Sequence, residues 1–330
     1  MSTDAGVIAP ATVEETTSRV PLRRHLALGI WVAAALAIVV FALTTGGFAT
    51  WDNAKAIFLA SSYVGLLALA QMLIMTSGNF FSLSLGTGAV LAAMIFFSEL
   101  GNGIVFAIVL AVLVAGFASA LQGLLVGAWR ANPIIVTIGA NAILTGIILL
   151  RTGGSIIRPE KGAPSINWLV DPIGGIAFPF FVLVAATIVV QLVLGRTRFG
   201  LTMFLIGENR DAAKAASLPI TRTIVGVFLA AGILAALAGI LLGASLSGAT
   251  LSSQGTLPFD AIVATLIGGC AVAGGRGSAI GTFLGTLGVA AISSALLLRG
   301  YSEGVQILVK GAILAVVVLA VHLWNQEDAR

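Results

Sequence analysis

The longest stretch without a charged side chain runs from Ala56 to Ser98, 43 residues between Lys55 and Glu99. A helix needs roughly 20 apolar residues to cross about 30 Å of hydrocarbon, so this run holds two spans. The polar break Thr76-Ser77-Gly78-Asn79 divides them. The same rule marks Leu26–Gly46, then Gly103–Trp129, Pro133–Leu150, Gly175–Gly195 and Thr223–Ser247. Toward the C-terminus it marks Phe259–Gly274, Ser278–Leu298 and Val305–Trp324. Ten segments result, the eighth short enough to be re-entrant. With 58% hydrophobic and 9% charged residues and a mean hydropathy of +1.09, no soluble surface can be built. Soluble domains carry about 25% charged residues. The expected fold is an all-α polytopic membrane protein of about ten helices, some short or broken.

Charge sets the expected orientation. Arg19, Arg23 and Arg24 precede the first span, and residues 196–222 hold Arg196, Arg198, Arg210, Lys214 and Arg222 against Glu208 and Asp211. Basic loops stay in the cytoplasm, which places both termini there and residues 152–174 outside. The net charge of +4 is thereby assigned to loops, with no nucleic-acid partner implied. Residues 1–25 read as a disordered cytoplasmic N-terminus and 26–326 as one transmembrane domain. Within 196–222, Phe199–Ile206 and Asp211–Ser217 read as short amphipathic helices that Pro219 helps to terminate. A structured basic loop on a lipid-embedded chain points to a docking site; a solvated loop that only fixes topology is the plainer reading.

Much chemistry is missing. None of Lys55, Lys161, Lys214 and Lys310 is followed by Ser or Thr, so no phosphate-cradling loop can be written and the chain is not expected to hydrolyse nucleotides itself. Cys270 is the only cysteine, which excludes an internal disulfide and a multi-cysteine metal site. His25 and His322 sit at span edges and read as interfacial; no metal ligand set is expected. Asp260 and Lys310 are the charged candidates within spans, neither with an opposite charge at helical spacing in its own segment; Asp260 reads as a carboxylate near a helix start, with ion coupling as the alternative. The other intramembrane polar groups, among them Gln71, Gln122 and Asn141, are neutral. They suit a neutral hydrogen-bonding solute or, equally, bonds between helices. Gly277, Gly281 and Gly285 share a four-residue register, as do Gly239 and Gly243, which signals close helix packing. Thr76–Gly88 and Gly268–Gly281 each show a Gly/Ser break before a helix of small residues, a correspondence that suggests two related halves arranged as inverted repeats.

Three motifs carry a family resemblance. Phe259-Asp260-Ala261-Ile262, followed by Gly268-Gly269, Ala273-Gly274-Gly275-Arg276-Gly277 and Gly281-Thr282, is similar to the L-D-A-I…G-G…A-G-G-[KR]-G…G-T signature of the ribose and monosaccharide permeases of ATP-binding-cassette importers. Thr197-Arg198-Phe199-Gly200 with Gly207, Asn209 and Ala212–Ala216 resembles that family's ATPase-docking segment, and Thr76-Ser77-Gly78…Leu83-Ser84-Leu85-Gly86 resembles a third motif. The chain departs from the family at Ser82, where an acidic residue is usual, and at Ser217, where glycine is frequent.

The resemblance implies a transport subunit, not an enzyme, in a bacterial inner membrane. It would bind no cofactor itself; ATP and Mg²⁺ would act on two separate ATPase subunits. A second permease chain, identical or a sister, would complete the pathway, and an external binding protein would deliver a sugar-like solute. The coupling residues it implies are Gly200, Gly207, Asn209, Asp211, Ala212, Ala213 and Ser217. The expected solute pathway holds Asn79, Phe80, Phe81, Ser82, Ser84, Asn141 and Asp260. Import of nucleosides or polyols, or an ion-gradient carrier, is the alternative reading.

Overall fold

A computed structural model describes residues 45–159, 162 and 164–327, the last twelve as backbone alone. The expectations for residues 1–25, the span 26–46 up to residue 44, His25, Lys161 and the His322 side chain lie outside the described residues. Eleven α-helices follow one another among the described residues: α1 (Trp51–Thr76), α2 (Leu85–Glu99), α3 (Ile104–Ala128), α4 (Pro133–Thr152), α5 (Phe178–Arg196), α6 (Arg198–Glu208), α7 (Arg210–Ala215), α8 (Ile220–Leu246), α9 (Leu257–Ile267), α10 (Ala279–Leu298) and α11 (Glu303–Glu327). Among the described residues, seven stretches are long and apolar enough to cross a membrane: α1, α2 with its short 3₁₀ extension, α3, α4, α5, α8 and α10.

Two of these form the centre. Every residue of α1 from Ser61 to Thr76 is buried, which fits a sequence that is hydrophobic all round. It packs on α8, α9 and α10. The 27-residue α8, about 40 Å long at 1.5 Å per residue, carries α2 and α3 along its length. Small residues allow the approach. A Cβ on Gly239 would overlap the Ala89 carbonyl of α2, and one on Gly285 would overlap the Ala264 carbonyl of α9. The four-residue glycine registers therefore serve the close packing their spacing implies.

The outer helices bury one narrow seam. In α3 the buried positions Ala107, Ala111, Ala115, Ser119 and Gln122 are mostly small, whereas Val105, Val109, Leu113, Phe117 and Leu121 are exposed. A water-soluble fold places its large apolar groups the other way; this distribution belongs in lipid, where interfaces favour small residues. In α4, Asn132 accepts from the Ile134 amide at 2.9 Å, Pro133 opens the first turn, and Gly153 at φ 59° closes the last.

The short eighth segment is settled by length. Helix α9 has 11 residues, about 16 Å, and ends at Gly268, so it covers about half a bilayer. A glycine-rich loop, 268–278, then leads into α10. At the other end of the molecule Pro172–Ile173 and Ile176–Ala177 form a two-residue hairpin turned by Gly174 and Gly175, both at positive φ. Ile157 and Ala249 exchange backbone hydrogen bonds at 3.0 and 2.9 Å, tying segment 152–174 to the loop after α8.

Two sequence expectations shift. Helix α1 starts at Trp51, including Asp52 and Lys55, which form an exposed ion pair at 3.0 Å within the first turn. Pro219 precedes α8 as its N-cap and does not end α7. That ending belongs to Ser217 at φ 55°, whose amide bonds the Lys214 carbonyl at 3.0 Å while the Leu218 amide bonds the Ala213 carbonyl at 3.0 Å. This is the paired closure that usually carries glycine in the left-handed position, so the serine keeps the turn.

Candidate coupling segment and solute pathway

Helices α6 and α7 fold back across one end of the bundle, and each residue type in the segment has a local reason. The Thr197 hydroxyl donates to the Val193 carbonyl at 2.6 Å and accepts from the Gly200 amide at 3.2 Å, joining the end of α5 to the start of α6. A Cβ on Gly200 would overlap the Leu194 carbonyl and lie 2.6 Å from Leu194 Cα, so only glycine permits the reversal. Asn209 caps α7 by accepting from the Asp211 and Ala212 amides at 3.0 and 2.9 Å. Of the predicted docking residues, Asp211, Ala212 and Ser217 are exposed, while Gly200, Gly207 and Ala213 face inward.

Arg210 anchors the segment sideways. Its guanidinium donates to the Val126 and Gly127 carbonyls, both at 3.2 Å, at the C-terminal end of α3, where a cation also suits the helix dipole. Burial, then the nearby Arg130, lower its pKa from the ordinary arginine value, with Asp211 opposing; it remains charged.

The link between α1 and α2 is not a surface turn. Residues 77–84 run without helix, with alternating burial: Asn79, Ser82 and Ser84 are buried, while Phe80 (48% exposed) and Leu83 point outward. Non-helical backbone at membrane depth survives only inside protein or beside a water-filled cavity, because its polar groups need partners. They find them. The Ser82 amide donates to Gln71 Oε1 at 3.3 Å, the Ser82 and Ser84 hydroxyls meet at 3.1 Å, and Ser84 donates to Gln122 Oε1 at 2.7 Å. Asn79 donates to the Ser77 hydroxyl at 2.9 Å, and Thr87 donates to Asn141 across α2 and α4.

A pair of short capped helices at one end, a non-helical segment within the bundle and a half-span helix occur here in one chain. The family model described as "Branched-chain amino acid transport system / permease component" matches residues 53–321. The chain belongs to this permease family. It is 29% identical to the probable ABC transporter permease protein YphD of Escherichia coli K12, covering 93% of each chain. It is 30% identical to the ribose import permease RbsC of Bacillus subtilis, covering 77% of this chain and 80% of the relative. With the autoinducer 2 import system permease LsrC of an Enterobacter species it shares 32% identity over 73% of this chain and 71% of the relative. No solved structure matches it. The permease is thus a transport subunit of the importer type, a multi-pass protein of the inner membrane.

Asp260 of the permease lies buried in the first turn of α9 and pairs with Lys310 of α11, Nζ to Oδ2, at 2.8 Å. Thr256 donates to the same oxygen at 3.0 Å, and Oδ1 is buried without a partner. The partner is 50 residues away on another helix, which spacing within one segment does not reveal. A cavity of about 690 Å³ opens between α2, α3 and α4. Its lining is apolar apart from Ser98, Glu99, Gln122 and Arg151, so it shares Gln122 with the clamped segment. Sequence reasoning singled out Lys310 as a charge within a span but not its pairing with Asp260, and gave Arg210 and Gly78 no role beyond the basic loop and the polar break. A basic residue beside a motif, or a glycine in a polar break, carries no sign of the backbone it meets.

Proposed function

We propose that this permease carries a monosaccharide inward, driven by two separate ATPase subunits that dock on α6 and α7 from the cytoplasm. The observation that carries the reading is the coupling segment itself, a capped pair of helices that presents Asp211 and Ala212 outward while Gly207 and Arg210 bind it to the bundle. A second permease chain completes the pathway, and a binding protein loads solute at segment 152–174. Both termini face the cytoplasm in this arrangement. The solute passes the non-helical segment 77–84 and the start of α9, where Phe80, Leu83 and Phe259 offer exposed apolar faces beside Asn79, Phe81, Ser82, Ser84 and Asp260, with Asn141 nearby on α4. A sugar fits because the relatives include ribose and L-arabinose permeases and because the intramembrane polar groups are mainly neutral.

An ion-gradient carrier has less to work with. Asp260 is the only buried carboxylate among the described residues, and Lys310 already neutralises it. The test is uptake into proteoliposomes holding the permease with its co-purifying ATPase and binding protein. ATP-dependent uptake of ribose or arabinose, lost on substituting Ala212→Arg while the permease stays folded, is the expected result. Uptake by the permease alone under a proton or sodium gradient would refute the reading.

A further inference from the structure

Three backbones that are far apart in sequence meet at Gly207. The Gly275 amide of loop 268–278 donates to the Thr76 carbonyl at 2.9 Å, where α1 gives way to segment 77–84. Gly207 of α6 sits against both. A Cβ there would overlap the Thr76 carbonyl oxygen and lie 2.6 Å from Gly275 N and 3.0 Å from Gly78 N. The exclusion is reciprocal: a Cβ on Gly78 would lie 2.9 Å from Gly207 Cα, and one on Gly274 would lie 2.6 Å from Gly78 Cα. Beside this contact Thr76 Oγ1 and Cys270 Sγ are 3.6 Å apart.

We propose that Gly207 locks segment 77–84 and loop 268–278 to the coupling segment, so that all three move as one body during transport. The inference rests on the importer reading and identifies where α6 acts. A contact between side chains absorbs a small displacement by changing rotamers; a contact between backbones has no rotamers to change. Motion of α6 therefore reaches both loops undiminished. Arg210 adds the end of α3 to the same body through the Val126 and Gly127 carbonyls. The part of the pathway that opens lies elsewhere, where these elements meet ones they do not grip.

The test exploits the single native cysteine. Thr76→Cys, in the complete complex in proteoliposomes, is oxidised to join position 76 to Cys270, and the bond is confirmed by mass spectrometry. Oxidised and reduced samples of this variant should take up solute equally. Uptake that stops on oxidation and returns on reduction, with ATP hydrolysis continuing, would show that the loops must part, and overturns the proposal. So would thiols that both remain free. Independently, Gly207→Ala should keep ATP hydrolysis and lose uptake by about tenfold, within the range of coupling mutations. Gly146→Ala, whose added methyl meets nothing within 4 Å, should do neither. Unchanged uptake in Gly207→Ala also overturns the proposal. Gradient-driven uptake by the wild-type permease alone removes the importer reading and this inference together, before any variant is read.

Discussion

The two interrupted hairpins of this permease are held together by opposite means. Between α1 and α2, segment 77–84 is non-helical, and side chains from other positions satisfy it: Gln71 takes the Ser82 amide and Gln122 takes the Ser84 hydroxyl. Between α9 and α10, loop 268–278 closes largely on its own backbone. Ala271 donates to the Arg276 carbonyl at 3.0 Å, and Gly269, Gly274 and Gly275 take positive φ values. One hairpin is thus tuned by side chains that substitution can remove, and the other by a backbone path that only glycine follows at those points. Beyond the backbone contact of Gly275 with Thr76, a charge also ties the second hairpin to its surroundings, the Asp260–Lys310 pair.

That contrast sets the size of the expected effects. Asp260→Asn or Lys310→Met alone leaves a buried charge uncompensated and should lower stability by about 3–5 kcal/mol, measured by unfolding in detergent. The double variant should recover most of the loss, because two neutral groups need no partner of opposite sign. Recovery of nothing would mean that the second hairpin is anchored by something else. In the first hairpin, Gln122→Leu should cost about 1–3 kcal/mol, since it removes the acceptor of a buried hydroxyl. Gln71→Leu should cost less, because Gln71 Nε2 is already buried without a partner. Hydrogen exchange at the Ser82 amide separates the two, speeding more in Gln71→Leu. If neither substitution moves stability or exchange, the side-chain account of segment 77–84 fails. The smallest effect lies outside both hairpins. Ser217→Gly relieves a left-handed serine and should raise stability by about 1 kcal/mol or less, leaving Ser82 exchange unchanged.

The spans were legible because a charge in hydrocarbon is so costly that its absence over 20 residues is itself a signal. The shortness of the eighth segment was legible for the same reason. The motif Thr197…Gly200…Asn209 was legible as a unit, and the structure supplies its causes: a cap, a reversal and a second cap. Less could be read where two distant segments touch. The polar residues Ser82 and Ser84 invite a reading as solute contacts, since a membrane chain hides few polar groups without purpose. Their hydroxyls are engaged inside the bundle, and the faces left open between them belong to Phe80 and Leu83. The alternation Asn79, Ser82, Ser84 against Phe80 and Leu83 is a strand-like pattern, which is hard to recognise in a chain whose every neighbour is a helix.

The bridge between Ile157 and Ala249 has a mechanical meaning of its own. It fastens segment 152–174 just beyond the last turn of α8, and the first turn of that same helix follows directly on the coupling segment. Helix α8 is therefore a spar about 40 Å long, with a load point at each tip. If a binding protein loads segment 152–174 as proposed above, it would press on the far tip of the rod whose near tip adjoins α7. Its arrival would then be felt at the opposite tip through rigid matter, with no need for the cargo to have entered.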